Sequence, residues 1–563
     1  MKKIIKNEQN RIFVFVFIIT MLVACSPLIT KYCINGHDLE YHLLRIEALK
    51  EGILAGKPFL KVNMLFFGGA GYASSMFYPD FLLYIPAVLR VVGFGINTSY
   101  HLFICICIIL CFLSTYYSVN GITKDRFAGL AAAIILCLSN YFLDDIYVRS
   151  AVGEITAFIF IPFILYGIYN TLNEEMDKPY VLGVGFAGLL LCHTLSFILC
   201  FVLTVAIFVI CIKKFIVNPK VILKLIVTAF VSAGVTCTYW LPMLEQFLSD
   251  RFYVSVSQWM DPSLEALQVA SGLGSVFPCL GVSVFVFCLP IIILNKNEKD
   301  NLYSFGILLI LASTIMFICS TDIFPWKRFG KYLATVQFPW RLYTVASVCL
   351  AIASAIVLKK LAESVNISKL VVFENKNLVS GSFSLMEKCL ILFVMTIMII
   401  CSMSSMSGRN IGYYDYSDDY YSYKPYTANV IAGEWLPETV QEKEIIVDES
   451  ENAVSSAGTM VDFIRSKNEI ILTTSDLFEY VDVPFIFYKG YSAVTDSGIV
   501  LNVDNKGNNG FLRVYPGDYI GKIRVFYKGT ILQHIASGIT LGCLSIVVLA
   551  FIYVLYQKRR GNK

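Results

Sequence analysis

Twelve long apolar runs constrain this chain more than any other feature of its sequence. A helix of about 20 apolar residues is long enough to cross the hydrocarbon core of a bilayer. Of the 563 residues, 57% are hydrophobic and 15% are charged, whereas a soluble protein carries about 25% charged residues. The sequence therefore predicts a mainly α-helical, multi-pass membrane protein. The twelve predicted spans lie near residues 11–31, 99–118, 127–143, 154–171, 180–193, 194–212, 221–241, 277–294, 302–320, 341–358, 386–404 and 531–556.

Charge and cysteine content exclude several classes of function. A net charge of +4 is too small to indicate a nucleic-acid partner. The 17 cysteines lie almost all in apolar runs, where they are typical of small buried hydrophobic residues. None lies between Gly408 and Thr530, the one long polar region, so no disulfide framework is predicted there. The five histidines have no neighbouring cysteines at zinc-site spacing.

The N-terminal segment allows two interpretations. It has a basic start and an apolar core, and "LVAC" at Leu22–Cys25 is similar to a bacterial lipoprotein cleavage site, after which Cys25 would carry a lipid. The apolar run continues past Cys25 through "SPLIT", however, and this continuation favours an uncleaved first span.

The distribution of basic residues predicts the orientation of the spans in the plasma membrane. Cytoplasmic loops are enriched in Lys and Arg, and Lys124, Arg126 and the tail "QKRRGNK" all fall inside if the N-terminus is inside. The segment 79–95 is short and contains a proline and an arginine, and counting it as a span would invert every later loop. We therefore predict that it lies at the membrane interface and that both termini are cytoplasmic. One outer loop breaks the pattern with three basic residues, Lys327, Arg328 and Lys331.

These patterns divide the chain into three regions. Residues 1–404 are predicted to form a transmembrane domain, with juxtamembrane helices outside the membrane in 32–98. Residues 405–530 alternate apolar and polar residues in short runs separated by turns such as "DNKGNNG", which predicts an extracytoplasmic β-sandwich. Residues 531–563 are predicted to form a final span and a basic cytoplasmic tail.

A dense charged cluster, "GHDLEYHLLRIEAL" from Gly36 to Leu49, follows the first span. Ionisable residues at a membrane edge are costly, and they therefore indicate function. Asp38 is suited to cap a helix that begins at Leu39, so an amphipathic helix at the interface is one explanation of the cluster. That explanation does not account for a second polar loop on the same side, "LDDIYVRSAVGE" at 143–154, or for a histidine in a membrane hairpin.

Several short motifs on the outer side are together similar to one enzyme family. The acidic motif "DLE" precedes a juxtamembrane helix of the form H-x-x-R-x-x-x-L, and the Gly/Tyr-rich turn "GGAGYASSMFYPDFLLYIP" follows it. The polar loop at 143–154 and "FPWR" at 338–341 complete the set. In this order, over roughly residues 10–345, the chain resembles the C-type integral-membrane glycosyltransferases (GT-C), especially the bacterial YfhO-like proteins.

The resemblance implies sugar transfer at the outer edge of the membrane. GT-C enzymes take a sugar from a polyprenyl-phosphate among the membrane lipids and pass it to an acceptor outside the cytoplasm. Here the acceptor would be a cell-wall polymer, a glycolipid or a protein of the bacterial cell envelope. Asp38 is the expected general base, with Glu40 as a second catalytic carboxylate. The residues expected to bind the substrate or its phosphate are His42, Arg45, Asp144, Asp145, Arg149, Glu154, His193 and Arg341.

A divalent cation is a further expectation of this resemblance. Carboxylate oxygens are hard ligands that suit Mg²⁺ or Mn²⁺. The candidate ligands are Asp38, Glu40 and Asp145.

Two other functions stay open on the sequence alone. A lipid-linked glycan transporter or polymerase would also be multi-pass, but transporters keep charges near the membrane midplane and often contain internal repeats. Here the charges gather on one side and no repeat is evident. A non-catalytic partner in envelope polysaccharide assembly would keep the fold without the reaction. A single histidine such as His193 is often a packing residue, and the tyrosine run at 412–426 is more typical of an interface belt or linker than of a sugar platform.

Overall fold

Helices predominate in the computed structural model, and a β-sheet occupies its C-terminal part. The structure describes residues 2–256, 287–289, 300–330, 333, 336–364, 383–407, 412–416, 433–441, 446, 452–466 and 468–561. The α-helices of these residues, numbered in chain order, are α1 Lys2–Cys25, α2 Leu39–Leu54, α3 Ser74–Phe77, α4 Tyr84–Val92, α5 Ile96–Thr123, α6 Arg126–Cys137, α7 Asn140–Asp144, α8 Val152–Asn173, α9 Pro179–Leu190, α10 Thr194–Ile210, α11 Ile212–Val217, α12 Lys220–Val235, α13 Cys237–Ser249, α14 Tyr253–Val256, α15 Asn301–Ser320, α16 Trp326–Phe329, α17 Leu342–Ser364, α18 Leu385–Ser407 and α19 Ile531–Gly561.

Many of these helices are suited to a membrane, and the prediction of a multi-pass membrane protein is confirmed. Two bent helix pairs, α6 with Asn140–Arg149 and α12 with α13, bring the number of candidate spans to nine if each pair is one span. Among the described residues, seven single helices are long and apolar enough to cross a membrane, and they are Glu8–Leu28, Ile96–Thr123, Val152–Asn173, Asn301–Ser320, Pro339–Ser364, Leu385–Ser404 and Ile531–Gln557.

The number of twelve spans stays a prediction. The predicted fifth and sixth spans correspond to the shorter apolar helices α9 and α10. The predicted span 277–294 lies outside the described residues except for 287–289. The segment 79–95, predicted to lie at the interface, contains α4, which has only nine residues.

The second polar segment is helical over most of the length for which the sequence predicted a loop. After α6 the chain bends by 44°, forms α7, and continues through a π-helical turn at Asp145–Arg149. α8 then begins at Val152, so only two residues separate the two helical segments. Ser150 makes the reversal with a φ of +52°, in the left-handed region. The charged side chains of this segment are therefore held on a rigid helical frame.

The C-terminal strands form a single eight-stranded antiparallel sheet in the described residues, and not the two facing sheets of the predicted sandwich. The strands are β3 Val454–Ser455, β4 Asp462–Ser466, β5 Glu469–Thr474, β6 Val481–Ile486, β7 Tyr491–Thr495, β8 Val500–Asp504, β9 Phe511–Tyr515 and β10 Gly521–Tyr527, after a small pair of β1 Cys33–Ile34 with β2 Tyr413–Tyr414. The spatial order is β3-β6-β9-β8-β7-β10-β5-β4. β8 pairs with both β7 and β9, and β10 pairs with both β5 and β7, so the ladder of hydrogen bonds is continuous.

The chain divides into two compact units. The first unit contains Met1–Leu39, His101–Ala229 and Gln258–Asp415. The second unit contains Glu40–Tyr100, Phe230–Ser257 and Tyr416–Lys563. The predicted domain boundaries at 404 and 530 stay predictions.

The second unit has a core that joins the segment between α2 and α4 to the sheet. Phe66, Tyr72 and Phe77 of this segment belong to the same buried cluster as Leu472 and Val483 of the sheet. Burial of such large apolar side chains stabilises the contact by about 1.5–3 kcal/mol per side chain. The segment between α2 and α4 is therefore part of a packed body and not a free connection.

Candidate active site

The residues that follow α1 make close backbone contacts with the end of the π-helical turn at Asp145–Arg149. The amide of Asp38 donates a hydrogen bond to the carbonyl oxygen of Arg149 at 2.8 Å. Beside it, a Cβ atom at Gly36 would lie 2.0 Å from Oγ of Ser150, so only glycine allows this approach. These contacts place Asp38 next to the second polar segment.

The turn itself orients the charged side chains. Asp145 and Arg149 are four residues apart on one helical segment, which places their side chains on the same side. The reversal at Ser150 then returns the chain so that Glu154, in the first turn of α8, lies against Arg149. Local helical geometry therefore builds a three-residue ion cluster from ten residues of sequence.

Glu154 is the centre of a buried network. Its Oε1 accepts a hydrogen bond from Arg149 at 2.7 Å, and its Oε2 accepts bonds from the hydroxyls of Tyr141 and Thr344, each at 2.6 Å. Arg149 also donates to Oδ1 of Asp145 at 2.5 Å. The other oxygen of Asp145, Oδ2, is buried and has no hydrogen-bond partner in the described part of the chain.

Arg341 completes the cluster from a distant part of the sequence. Its Nε lies 3.5 Å from Oε1 of Glu154, and its terminal Nη1 donates to Gln337. Nε makes no hydrogen bond within the described residues, and the side chain is 17% exposed. Arg341 is therefore the less saturated of the two guanidinium groups, because Arg149 is shared between two carboxylates.

The carboxylate of Asp38 is half-buried and chemically available. Burial raises its pKa, and the positive charges of Arg149 and Arg341 only partly offset that rise. No hydrogen bond from the described residues reaches the carboxylate, so the expected helix-capping bond to α2 is not formed although α2 does begin at Leu39. An unbonded carboxylate with a raised pKa is suited to accept a proton.

Two more predicted residues lie in this part of the first unit. Asp144 is buried beside Asp145. His193 is buried at the start of α10, 2.7 Å from Oγ of Ser196, and within electrostatic reach of Glu154. The cluster therefore contains two more carboxylates than guanidinium groups. The carboxylates belong to Asp38, Asp144, Asp145 and Glu154, and the guanidinium groups to Arg149 and Arg341.

The remaining predicted residues lie in the second unit. Arg45 is 1% exposed and forms an ion pair with Asp80 at 2.5 Å. It also donates to the carbonyl oxygens of residues 78 and 79 and contacts Nδ1 of His42 at 3.2 Å. Glu40 lies in the first turn of α2. All three nitrogens of the Arg45 guanidinium are therefore engaged within the protein, an arrangement that favours a structural anchor over a phosphate ligand.

Three residues of these networks were missed in the sequence. Tyr141, Thr344 and Asp80 carry no motif of their own, and hydroxyl groups in apolar helices are common. One signal was present for Thr344, because it follows Arg341 by one helical turn. Asp80 lies in the Gly/Tyr-rich turn, where the sequence gives no sign of the partner that it pairs with.

The expected divalent cation is not supported by the side-chain arrangement. Among the described residues, no group of three or more His, Cys, Asp or Glu side chains lies close enough to hold a metal ion. One oxygen of Asp145 is already bonded to Arg149. No chemical step proposed below depends on a cation at Asp38, Glu40 or Asp145.

The basic loop that is predicted to lie outside is partly described. Lys327 and Arg328 are exposed on the short helix α16, and Lys331 lies outside the described residues.

Comparisons with known proteins give only distant similarities. No family model matches the chain. It is 26% identical over 348 residues to an uncharacterized protein of Lactococcus lactis subsp. cremoris (strain MG1363), an alignment that covers 57% of this chain and 55% of that protein. The chain spans about half the length of this curated relative.

Solved structures are similar to the chain at low scores, and two of them are the following transferases. One is the archaeal oligosaccharyltransferase AglB from Archaeoglobus fulgidus in complex with an inhibitory peptide and a dolichol-phosphate, with a TM-score of 0.38 and 13% identity over 72% of this chain and 56% of that chain. The other is the arabinofuranosyltransferase AftD from Mycobacteria, with a TM-score of 0.41 and 13% identity over 71% of this chain and 27% of that chain. At these values neither similarity assigns a function to this chain.

Proposed function

We propose that the protein is a C-type membrane glycosyltransferase that moves a sugar from a polyprenyl-phosphate to an acceptor outside the cytoplasm. The observation that carries the proposal is the cluster of the first unit, in which Asp38, Glu154 and Arg341 come together from three separate parts of the chain. Buried ionisable groups are costly in a membrane protein, and such clusters mark functional sites. The order of outer-side motifs, which resembles the GT-C enzymes, supports the same conclusion.

Asp38 acts as the general base in this proposal. The acceptor hydroxyl oxygen attacks the anomeric carbon of the donor sugar, and a new carbon–oxygen bond forms as the bond from that carbon to the phosphate oxygen breaks. The electron pair of the broken bond leaves with the polyprenyl-phosphate, and the acceptor proton passes to the Asp38 carboxylate. The raised pKa of Asp38 strengthens it as a base.

Arg341 stabilises the charge on the leaving phosphate. Its Nε–H has no hydrogen-bond partner within the described residues, and its side chain is partly exposed. A guanidinium group binds phosphate through parallel, charge-assisted hydrogen bonds. Arg149 has a different task, because its contacts with Asp145 and Glu154 are already made; it positions the carboxylates around the sugar.

The experiment is a transfer assay with purified protein in detergent. The protein is incubated with radiolabelled polyprenyl-phosphate sugars and with cell-wall polymers, and transfer of label to the polymer is measured. Asp38→Asn should lower turnover on the order of 10²–10⁴-fold, because the base is lost while the shape is kept. Asp125→Asn is the matched control, since Asp125 caps α6 through the amides of residues 127 and 128 and asparagine caps equally well.

The outcomes separate this function from its alternatives. Transfer by the wild type and by Asp125→Asn, with loss in Asp38→Asn, supports the proposal. Absence of transfer with every donor, together with movement of the lipid-linked sugar across vesicle membranes, would instead identify a transporter. Absence of both activities would identify a non-catalytic partner.

A further inference from the structure

The second unit presents three aromatic rings that meet at its surface. They are Tyr41 on α2, Tyr78 after α3, and Trp435 from the segment that precedes the sheet. The centroid of the Trp435 ring lies 6.4 Å from that of Tyr41 and 5.8 Å from that of Tyr78, and the two tyrosine rings lie 6.3 Å apart. All three side chains of this aromatic patch are partly exposed to solvent.

The patch is held rigidly from behind. The guanidinium carbon of Arg45 lies 4.3 Å from the centre of the Tyr78 ring and 5.5 Å from that of Tyr41. The amide of Trp435 donates to the hydroxyl of Tyr72, and its carbonyl accepts from the hydroxyl of Tyr488, each at 3.1 Å. Preorganised rings bind a ligand with little loss of entropy.

Two polar groups of the patch have no hydrogen-bond partner among the described residues. The hydroxyl of Tyr41 is buried without a hydrogen-bond partner in the described part of the chain. The indole N–H of Trp435 likewise has no partner there. Burying a polar group without a partner costs stability, and a ligand that bonds to the Tyr41 hydroxyl would recover that cost.

The charges around the patch select the class of ligand. Glu434 lies within electrostatic reach of Tyr41, and Arg45, which lies beneath the patch, has its nitrogens engaged. An anionic ligand is therefore disfavoured. A sugar ring combines apolar C–H faces, which pack on aromatic rings, with hydroxyl groups that donate and accept hydrogen bonds.

We propose that Tyr41, Tyr78 and Trp435 form a binding site for the neutral glycan acceptor. The assignment of this glycan as the acceptor rests on the proposed glycosyl transfer. The sugar ring packs on the aromatic faces, and its hydroxyls bond to the Trp435 indole and the Tyr41 hydroxyl. Arg45 is a positioning residue of this site, because it acts through the two tyrosine rings.

Binding of short neutral oligosaccharides to the full-length protein tests the site without any donor. Isothermal titration calorimetry is carried out with glucan, galactan and chitin fragments and with a set of short peptides. Trp435→Leu should weaken oligosaccharide binding roughly tenfold or more through the loss of the ring. Tyr41→Phe should weaken it roughly five- to tenfold without lowering the unfolding temperature, because the hydroxyl has no partner to lose.

Tyr491→Phe is the matched control. Its hydroxyl is also buried without a partner in the described residues, but its ring packs against Phe485 and Tyr527 in the sheet. Binding by this variant should equal that of the wild type. The Tyr41→Phe variant keeps the test informative if Trp435→Leu does not fold, since Trp435 also stacks on Phe77.

The results distinguish this site from the reaction. Oligosaccharide binding that falls in Tyr41→Phe but not in Tyr491→Phe supports the site even if the protein transfers no sugar. The site is overturned if the wild type binds none of the oligosaccharides, if it binds only peptides, or if the two tyrosine variants behave alike, even where sugar transfer itself is observed.

Discussion

Arg149 in the first unit and Arg45 in the second are both buried and both paired with carboxylates, yet their surroundings differ. Arg45 has one carboxylate partner, Asp80, and its other nitrogen contacts are to backbone carbonyls and a histidine. Arg149 is shared between Asp145 and Glu154, and one oxygen of Asp145 stays unbonded in the described residues. A satisfied ion pair anchors structure, whereas a cluster with surplus carboxylates and unused hydrogen-bonding atoms is suited to bind and react.

The largest expected effect is in cysteine labelling, which is all or none and reports the side of the membrane on which both clusters lie. In a background with the 17 native cysteines replaced, cysteines at His37 and Lys57, both exposed, should react with an impermeant reagent from outside. A cysteine at the exposed Lys124 should not, because its loop is predicted to be cytoplasmic. Exposed positions are needed, since a cysteine at the buried Asp145 would not react on either side. Labelling at Lys124 without labelling at His37 would invert the topology.

Arg45→Ala should cause the largest loss of stability. It leaves the carboxylate of Asp80 buried without its cation, which costs about 3–5 kcal/mol of the free energy of unfolding. Adding Asp80→Asn to the same chain should recover part of that loss. Denaturant unfolding in detergent measures the effect, and Lys50→Ala is the control, because its ion pair with Glu47 is partly exposed and should contribute at most about 1 kcal/mol.

The same position also tests the difference between anchor and phosphate ligand. If Arg45 is an anchor, the KM for the lipid-linked donor should not change in the Arg45→Lys protein that remains folded. A large rise in that KM with normal stability would return Arg45 to the phosphate-binding role that its motif predicted.

Arg341→Ala should show the opposite balance, with a large loss of activity and a small loss of stability. Removal of one charge-stabilising donor typically lowers turnover about 10²–10³-fold. Glu154 keeps its bonds from Arg149, Tyr141 and Thr344, so the free energy of unfolding should fall by less than the roughly 3–5 kcal/mol that a buried carboxylate left without any cation would cost. Arg341→Lys should recover activity only partly, because lysine lacks the planar fork. Steady-state kinetics measure the effect, with Arg524→Ala as the control because Arg524 is an exposed arginine of β10. Full turnover in both Arg341→Ala and Arg524→Ala would contradict the phosphate-binding role of Arg341.

Asp38→Asn gives the smallest expected effect on stability, and its sign follows from the pKa. Burial raises the pKa of Asp38 in the folded protein, so ionising it as the pH rises through that value lowers the stability of the wild type. Asparagine does not ionise. The variant should therefore match the wild type at acidic pH and exceed it in unfolding temperature at neutral pH, as measured by thermal unfolding in detergent. A pH-independent difference, or a less stable variant at neutral pH, would show that Asp38 is not held at an energetic cost.

The individual helices were largely predictable because their signal is local. A run of about 20 apolar residues has one favourable environment, and the helical spans at 96–123, 301–320 and 531–557 follow from composition alone. Where helices bend, as after α6, the sequence predicted one continuous span and then a loop. The π-helical turn at Asp145–Arg149 depends on packing and on one left-handed residue, Ser150, which no periodic pattern encodes.

The strand content was predictable for the same local reason, but the sheet was not. Alternation of apolar and polar residues gives β5 its buried inward positions. Whether eight such strands form one sheet or two depends on which edges pair. Because β8 pairs with both β7 and β9, the strands form one sheet in the described residues.

Residue composition and spacing are enough to predict a membrane protein of many helices, with a β-rich region before its last helix and charged residues between its spans. These properties depend on residue type and spacing, which act over a few turns of chain. The contacts of Glu154 with Arg341 and Thr344, about 190 residues away, depend on how the helices pack, and so does the ion pair of Arg45 with Asp80. Hydrogen-bond satisfaction is a property of three-dimensional neighbours, so the same charged residue types gave an anchor in one unit and a candidate active site in the other.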